Sequence, residues 1–197
     1  MKKVKNPRKD MFDNESLKYR FQISIIASKD VEKAVERLFK TNFMDQFFNE
    51  NYLTTVGVEP FAKTIEIHGK KIKLIILLHS SEEEFSWLFE RSAKRSNALI
   101  LIYNINDTKT LYKILERSRM IKNTKHNIPI LLVGNKSDIE ENREIWKDRL
   151  EKVKENYDIS LLMEISLKTG ENVEEMFRNV TIMLLKKYKL NTDLIYE

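Results

Sequence analysis

The chain has 197 residues, of which 42% are hydrophobic and 33% charged, with a formal net charge of +5. That length suits one α/β domain around a single core, and that balance excludes an unfolded chain. No stretch reaches about 18 consecutive apolar residues, so no membrane-spanning helix is expected.

Cysteine is absent, which excludes disulfides, thiolate metal sites and thiol nucleophiles and fits a reducing cytoplasm. With no cysteine to carry a lipid, and Lys2 rather than glycine after Met1, no lipid anchor is expected. The basic start is not followed by an apolar stretch, so a secretory signal is not expected either. Residues 1–20 hold seven Lys or Arg (Lys2, Lys3, Lys5, Arg8, Lys9, Lys18, Arg20) against three acids, so four of the five net positive charges sit there. This segment reads as a basic, flexible leader suited to weak contact with a membrane surface. Nucleic-acid binding through it predicts a steep salt dependence that removing residues 1–20 abolishes. The rest of the chain is nearly neutral, and no specific nucleic-acid surface is expected of it.

Taken in chain order, Phe21 to Ala27 reads as a buried strand, and Val31, Val35, Leu38 and Phe39 follow at helical spacing. A polar and aromatic loop runs over residues 41–55. Residues 63–78 alternate around Gly69 and predict a β-hairpin. Apolar runs without alternation at residues 98–103, 130–133 and 161–165 suit central strands covered on both faces. Helices are expected between them, at about 82–95, 108–124 and 142–156, and a last helix places Val173, Met176, Phe177, Val180 and Leu184 on one face. Strands alternating with helices imply a doubly wound, mostly parallel sheet, with ligands beyond the carboxyl ends of the strands. The chain divides into the leader 1–20, one domain over 21–188 and a short tail over 189–197.

The strand at residue 130 ends in Gly134-Asn135-Lys136-Ser137-Asp138. Guanine offers two adjacent N–H donors on one edge. A carboxylate at Asp138 accepts both, and adenine would leave it unpaired. Asn135 is placed to contact the base and tie loops together, and the stem of Lys136 to cover the base plane. Ser166-Leu167-Lys168 supplies a second strand-end loop that opens a helix.

With Thr55-Val56-Gly57-Val58-Glu59 and the hairpin, these motifs resemble the Ras superfamily of small GTPases, nearest the Rab branch, over about residues 21–188. The resemblance implies a small G-domain of the P-loop NTPase type, a six-stranded sheet flanked by about five helices. It implies GTP or GDP binding by Asn135, Lys136, Asp138, Ser166, Leu167 and Lys168. Lys33 falls at the phosphate-contacting lysine, and Thr55 at the effector-loop threonine that reaches magnesium and the γ-phosphate.

Elsewhere the pattern breaks. A phosphate loop reads Gly-x-x-x-x-Gly-Lys-Ser/Thr. The matching residues 27–34 read Ala-Ser-Lys-Asp-Val-Glu-Lys-Ala, with both glycines replaced and Ala34 where a hydroxyl binds magnesium. Glu32 puts a carboxylate at the helix start, and two like charges 4 Å apart repel by about 4 kcal/mol at an effective dielectric of 20. Leu78 replaces the aspartate near magnesium, Ser81 the mobile glycine, and Glu82 the glutamine that orients the attacking water. Magnesium binding is doubtful on these grounds, and Thr55 is its one surviving candidate ligand.

Two functions follow from this pattern. The first is a GTPase-fold interaction module with little or no hydrolysis. The second is an atypical GTPase that hydrolyses GTP slowly or with a partner's help. Contact with a protein partner is expected through the loop 41–61 and the helix after residue 82. That loop carries the aromatics Phe43, Phe47, Phe48 and Tyr52, which either fold back onto the core or form the partner surface, and the helix carries Trp87 and Phe89. Pro60 stands where Rabs commonly carry an aromatic. His68, His79 and His126 have no metal-ligand spacing, and the acidic run at residues 82–84 reads as a helix's first turn.

Overall fold

The computed structural model describes residues 17–43, 56–122, 128–136 and 141–190. Six strands form one sheet: β1 (Leu17–Ala27), β2 (Val58–Ile67), β3 (Lys70–His79), β4 (Ala98–Asn104), β5 (Ile130–Asn135) and β6 (Leu161–Ile165). Their order is β2-β3-β1-β4-β5-β6. Only the β2–β3 hairpin is antiparallel; β1 pairs in parallel with β3 and β4, and β4–β5 and β5–β6 are parallel too. The helices are α1 (Lys29–Leu38), α2 (Ser86–Ala93), α3 (Thr108–Lys122), α4 (Lys147–Tyr157) and α5 (Val173–Lys187). The six strands and five helices are those the resemblance implied.

Strand periodicity divides the core in two. Ile23 and Ile25 of β1, Ile100 and Ile102 of β4, and Leu131 and Val133 of β5 face α1 and α5. Ile26, Leu99, Leu101, Leu132 and their neighbours face α2, α3 and α4. A strand covered on both faces has no polar side to show, so its sequence does not alternate.

Several boundaries depart from expectation, β2 among them, which begins at Val58 rather than residue 63. β1 starts at Leu17, four residues before Phe21, because Tyr19 and Arg20 already pair with Ile72 and Lys73. The helix expected from about 142 starts at Lys147, because the Glu144 and Ile145 amides both donate to the Ile105 carbonyl at 3.1 Å and hold that stretch extended. The expected helix at 82–95 splits into a 3-10 turn, Glu83–Phe85, and the short α2.

α1 continues into a π-helical turn, Phe39–Phe43, which seats the Phe39 ring 5.4 Å from Phe61 and 5.6 Å from Phe177. Lys63 is buried beside them and donates to Glu174 at 2.6 Å, joining β2 to α5. Among the described residues no helix is long and apolar enough to cross a membrane.

On the other face a buried polar chain crosses from β3 through β1 to the turn after α2. His79 Nε2 lies 3.1 Å from Ser24 Oγ, which lies 2.8 Å from Ser96 Oγ, while His79 Nδ1 has no partner and the ring meets Phe89 edge-on at 5.3 Å. Burial lowers the His79 pKa from 6.5 to about 4. Between these values the unfolded chain binds a proton that the folded one refuses. The stability tied to neutral His79 is therefore complete above the unfolded value and is lost as pH falls toward the folded one. Urea titrations from pH 7 to pH 4 should show the wild type losing about 3 kcal/mol more than His79→Leu.

Candidate functional site

The carboxyl ends of β4, β5 and β6 line up: Asn104 pairs in register with Asn135, and Asn135 with Ile165. Asn135 is buried, and its Oδ1 accepts the Leu167 amide at 3.0 Å, so it ties the loops after β5 and β6 together. Lys136 follows at φ 81, left-handed backbone that turns the chain sharply at the strand end. Gly134 is required by packing. A Cβ there would lie 2.7 Å from Ile105 Cγ2 and 3.0 Å from the Tyr103 hydroxyl.

Ser166 is fully buried; its Oγ accepts the Thr169 amide at 3.1 Å and its carbonyl the Gly170 amide at 2.8 Å. Leu167 is buried beside it and Lys168 is exposed. Arg143 braces this end from below, donating to both carboxylate oxygens of Glu164 and, through Nε, to the Ile145 carbonyl at 2.9 Å. Burial, reinforced by the Glu164 charge, holds the Tyr103 hydroxyl well above the usual phenol range. Asn135, Lys136, Ser166, Leu167 and Lys168 thus converge. Asp138 and Thr55 lie outside the described residues, so their side chains are not placed.

The loop after β1 is different. The chain leaves Ala27, passes through Ser28 alone and enters α1 at Lys29, so the segment matching a phosphate loop is regular helix. Ser28 N donates to the Ile102 carbonyl at 2.9 Å, and Val31 N and Glu32 N donate to the Ser28 carbonyl at 2.8 and 2.9 Å. Two carboxylates occupy the helix start. Asp30 accepts from Ser28 Oγ and from Asn104 Nδ2, each at 2.7 Å, bridging β1 to β4 at the point where the sheet's winding reverses. Glu32 Oε2 accepts the Ser81 amide at 2.8 Å, and Arg117 of α3 holds the Ser81 carbonyl at 3.1 Å.

Lys33 and Ala34 are exposed on α1, and Leu78 is buried among apolar side chains. Glu82 is exposed, its amide turned to Ser80 Oγ at 3.2 Å. The cleft here, about 820 Å³, is lined by Asp30, Glu82, Glu83, Glu84, Asp107 and Glu116 against Lys29, Lys113 and Arg117. These residues do not fit a magnesium-bound triphosphate: among the described residues the segment from Lys29 is helix rather than a loop, its first turn already carries Asp30 and Glu32, and the cleft is acidic. Among the described residues no three His, Asp or Glu are grouped to hold a metal ion.

A sequence profile described as the Ras family matches residues 16–186. The chain belongs to the Ras family. Human Rab-12 is 34% identical over 176 residues, covering 88% of this chain and 70% of the relative. Human Rab-30 is 32% identical over 179 residues, covering 90% and 86%, and golden hamster Rab-13 is 32% identical over 146, covering 74% and 71%. Ras-family members bind GTP or GDP with magnesium.

Sequence reasoning gave no role to Asp30, although it lies in the segment matched to a phosphate loop, and missed Asn104 and Arg117, which belong to no motif. The position of Asn104 at the end of a central strand beside β1 was the available signal. The Asn135 tie is directly testable. Asn135→Ala strands the buried Leu167 amide and should cost about 1–3 kcal/mol in urea unfolding, with faster exchange of that amide.

Proposed function

We propose that this Ras-family chain is a protein-interaction module with little or no GTP hydrolysis, its β3–α2 loop held in one shape by its own carboxylate. The observation that carries this reading is the hydrogen bond from the Ser81 amide to Glu32. By the Ras-family resemblance, Ser81 occupies the position whose neighbourhood senses the terminal phosphate. Here a side chain of the same protein takes that amide, and the bond forms without a nucleotide.

Three observations support it. A carboxylate bonded to a backbone amide contributes about 1.5–3 kcal/mol, and a triphosphate must displace it while entering a cleft of its own sign. Lys33 is exposed on α1, and Leu78, at the position of a magnesium-coupled acid, is buried and has no oxygen to offer. The end that reads guanine keeps Asn135, Lys136, Ser166 and Lys168 together. Guanine nucleotide held by that end alone binds weakly and independently of magnesium. The partner surface is assigned to the loop 41–61 and α2, where Val56 is 75% and Trp87 57% exposed.

Calorimetric titration of GTP and GDP into the purified chain tests this. The expected dissociation constant is weaker than about 100 µM for both, changed less than about twofold by magnesium, with no phosphate release above background. Magnesium-dependent binding at about 1 µM or tighter would overturn the proposal and favour a slow, partner-assisted GTPase.

A further inference from the structure

The sheet's second face is covered unevenly. α3 and α4 lie over β4 to β6, whereas among the described residues β2 and β3 receive only the eight-residue α2. Beyond its edge a cleft of about 440 Å³ is left open. Val58 and Pro60 of β2 and Ile75 and Leu77 of β3 form its apolar floor, and Trp87 rises at its rim, 57% exposed. Its wall is a stripe at helical spacing, Leu88, Arg91, Ser92 and Arg95. The turn after α2 continues that stripe, the Arg95 amide donating to the Ser92 carbonyl at 2.9 Å.

The charge of this cleft is one-sided. Arg20, Arg91 and Arg95 line it, and among the described residues no Asp or Glu does. Both Arg91 and Arg95 are exposed, and among the described residues neither meets a carboxylate within 4 Å. On the other side of the same short helix lies the acidic cleft of Glu82, Glu83 and Glu84. α2 therefore separates two clefts of opposite sign. A ligand with carboxylates is drawn to one and repelled by the other, which fixes its side of approach.

We propose that the cleft between α2 and the open face of β2 and β3 docks an acidic peptide segment of a protein partner, its carboxylates on Arg91 and Arg95 and an apolar side chain on Pro60 and Leu77. The proposal rests on the interaction-module reading above and adds the chemistry of the partner. Arginine forks match carboxylates in two-point contacts, and Trp87 offers a flat face to the anchor. The apolar floor selects peptide over nucleic acid, since a polyphosphate chain has no side chain to seat on four aliphatic residues. A cleft of this size buries a short segment, so a transient contact is expected.

The test begins without a presumed partner. A random library of peptides about 12 residues long is panned against the full chain, and enriched sequences are synthesised. Enrichment should favour Asp and Glu over Lys and Arg, with an apolar or aromatic residue among the acids. In a Trp146→Phe background Trp87 is the sole tryptophan, and its emission should shift on titration with the enriched peptide. The pair Arg91→Glu and Arg95→Glu should weaken binding at least about tenfold with an unchanged far-ultraviolet spectrum, and added salt should weaken wild-type binding. Enrichment of basic or neutral peptides, equal binding by the charge-reversed protein, or a silent Trp87 would overturn the proposal. So would tighter binding of a thymidine oligonucleotide that the same charge reversal abolishes. If these results come with weak, magnesium-independent nucleotide binding, only the acidic chemistry fails and the interaction-module reading stands. Tight magnesium-dependent nucleotide binding overturns that reading and, with it, this one.

Discussion

One charge-assisted hydrogen bond, from the Ser81 amide to the Glu32 carboxylate at 2.8 Å, joins the start of α1 to the loop that enters α2. Much of the crevice at the carboxyl ends of the strands is arranged around it. It depends on α1 beginning at Lys29, which carries Glu32 on the first turn toward β3. A helix start attracts anions through its open amides and dipole, and here the protein supplies them itself through Asp30 and Glu32. Arg117 completes the arrangement from α3 by holding the Ser81 carbonyl, so the residue is held through both its backbone amide and its carbonyl.

The two ends of the crevice contrast in how they are built. At the β5–β6 end, buried polar groups are spent on shaping loops: Asn135 on Leu167, Ser166 on Thr169, Arg143 on Glu164. At the β1–β3 end, the equivalent groups are spent on closing the chain against itself, through Ser28 to Asp30 to Asn104 and through Glu32 to Ser81. On this account α2 holds one position, and its outward face, with Trp87 and the arginine stripe, is a constant surface.

Much of this was legible in the residues, for definite reasons. The unbroken apolar runs of β4 and β5 announced strands covered twice, and Gly69 announced the hairpin. Gly134-Asn135-Lys136 marked the end of β5, and the bond from the Leu167 amide to Asn135 is the loop tie expected of it. The start of β1 was hidden because Leu17 and Tyr19 alternate with basic residues that read as a leader. Replacement of the motif glycines signalled that a phosphate loop was in doubt. It did not reveal that the segment from Lys29 would be helix, although strong helix formers and an acidic first turn follow there. The partner of Glu32 was illegible because it lies 49 residues away and is a backbone amide, which leaves no mark in side-chain identity.

Hydrogen exchange at the Ser81 amide tests the central claim most directly. In the wild type without nucleotide that amide should be protected, lose protection in Glu32→Ala, and be unaffected by saturating GTP with magnesium. A Ser81 amide that exchanges freely in the nucleotide-free wild type and becomes protected only on adding GTP and magnesium would contradict the account.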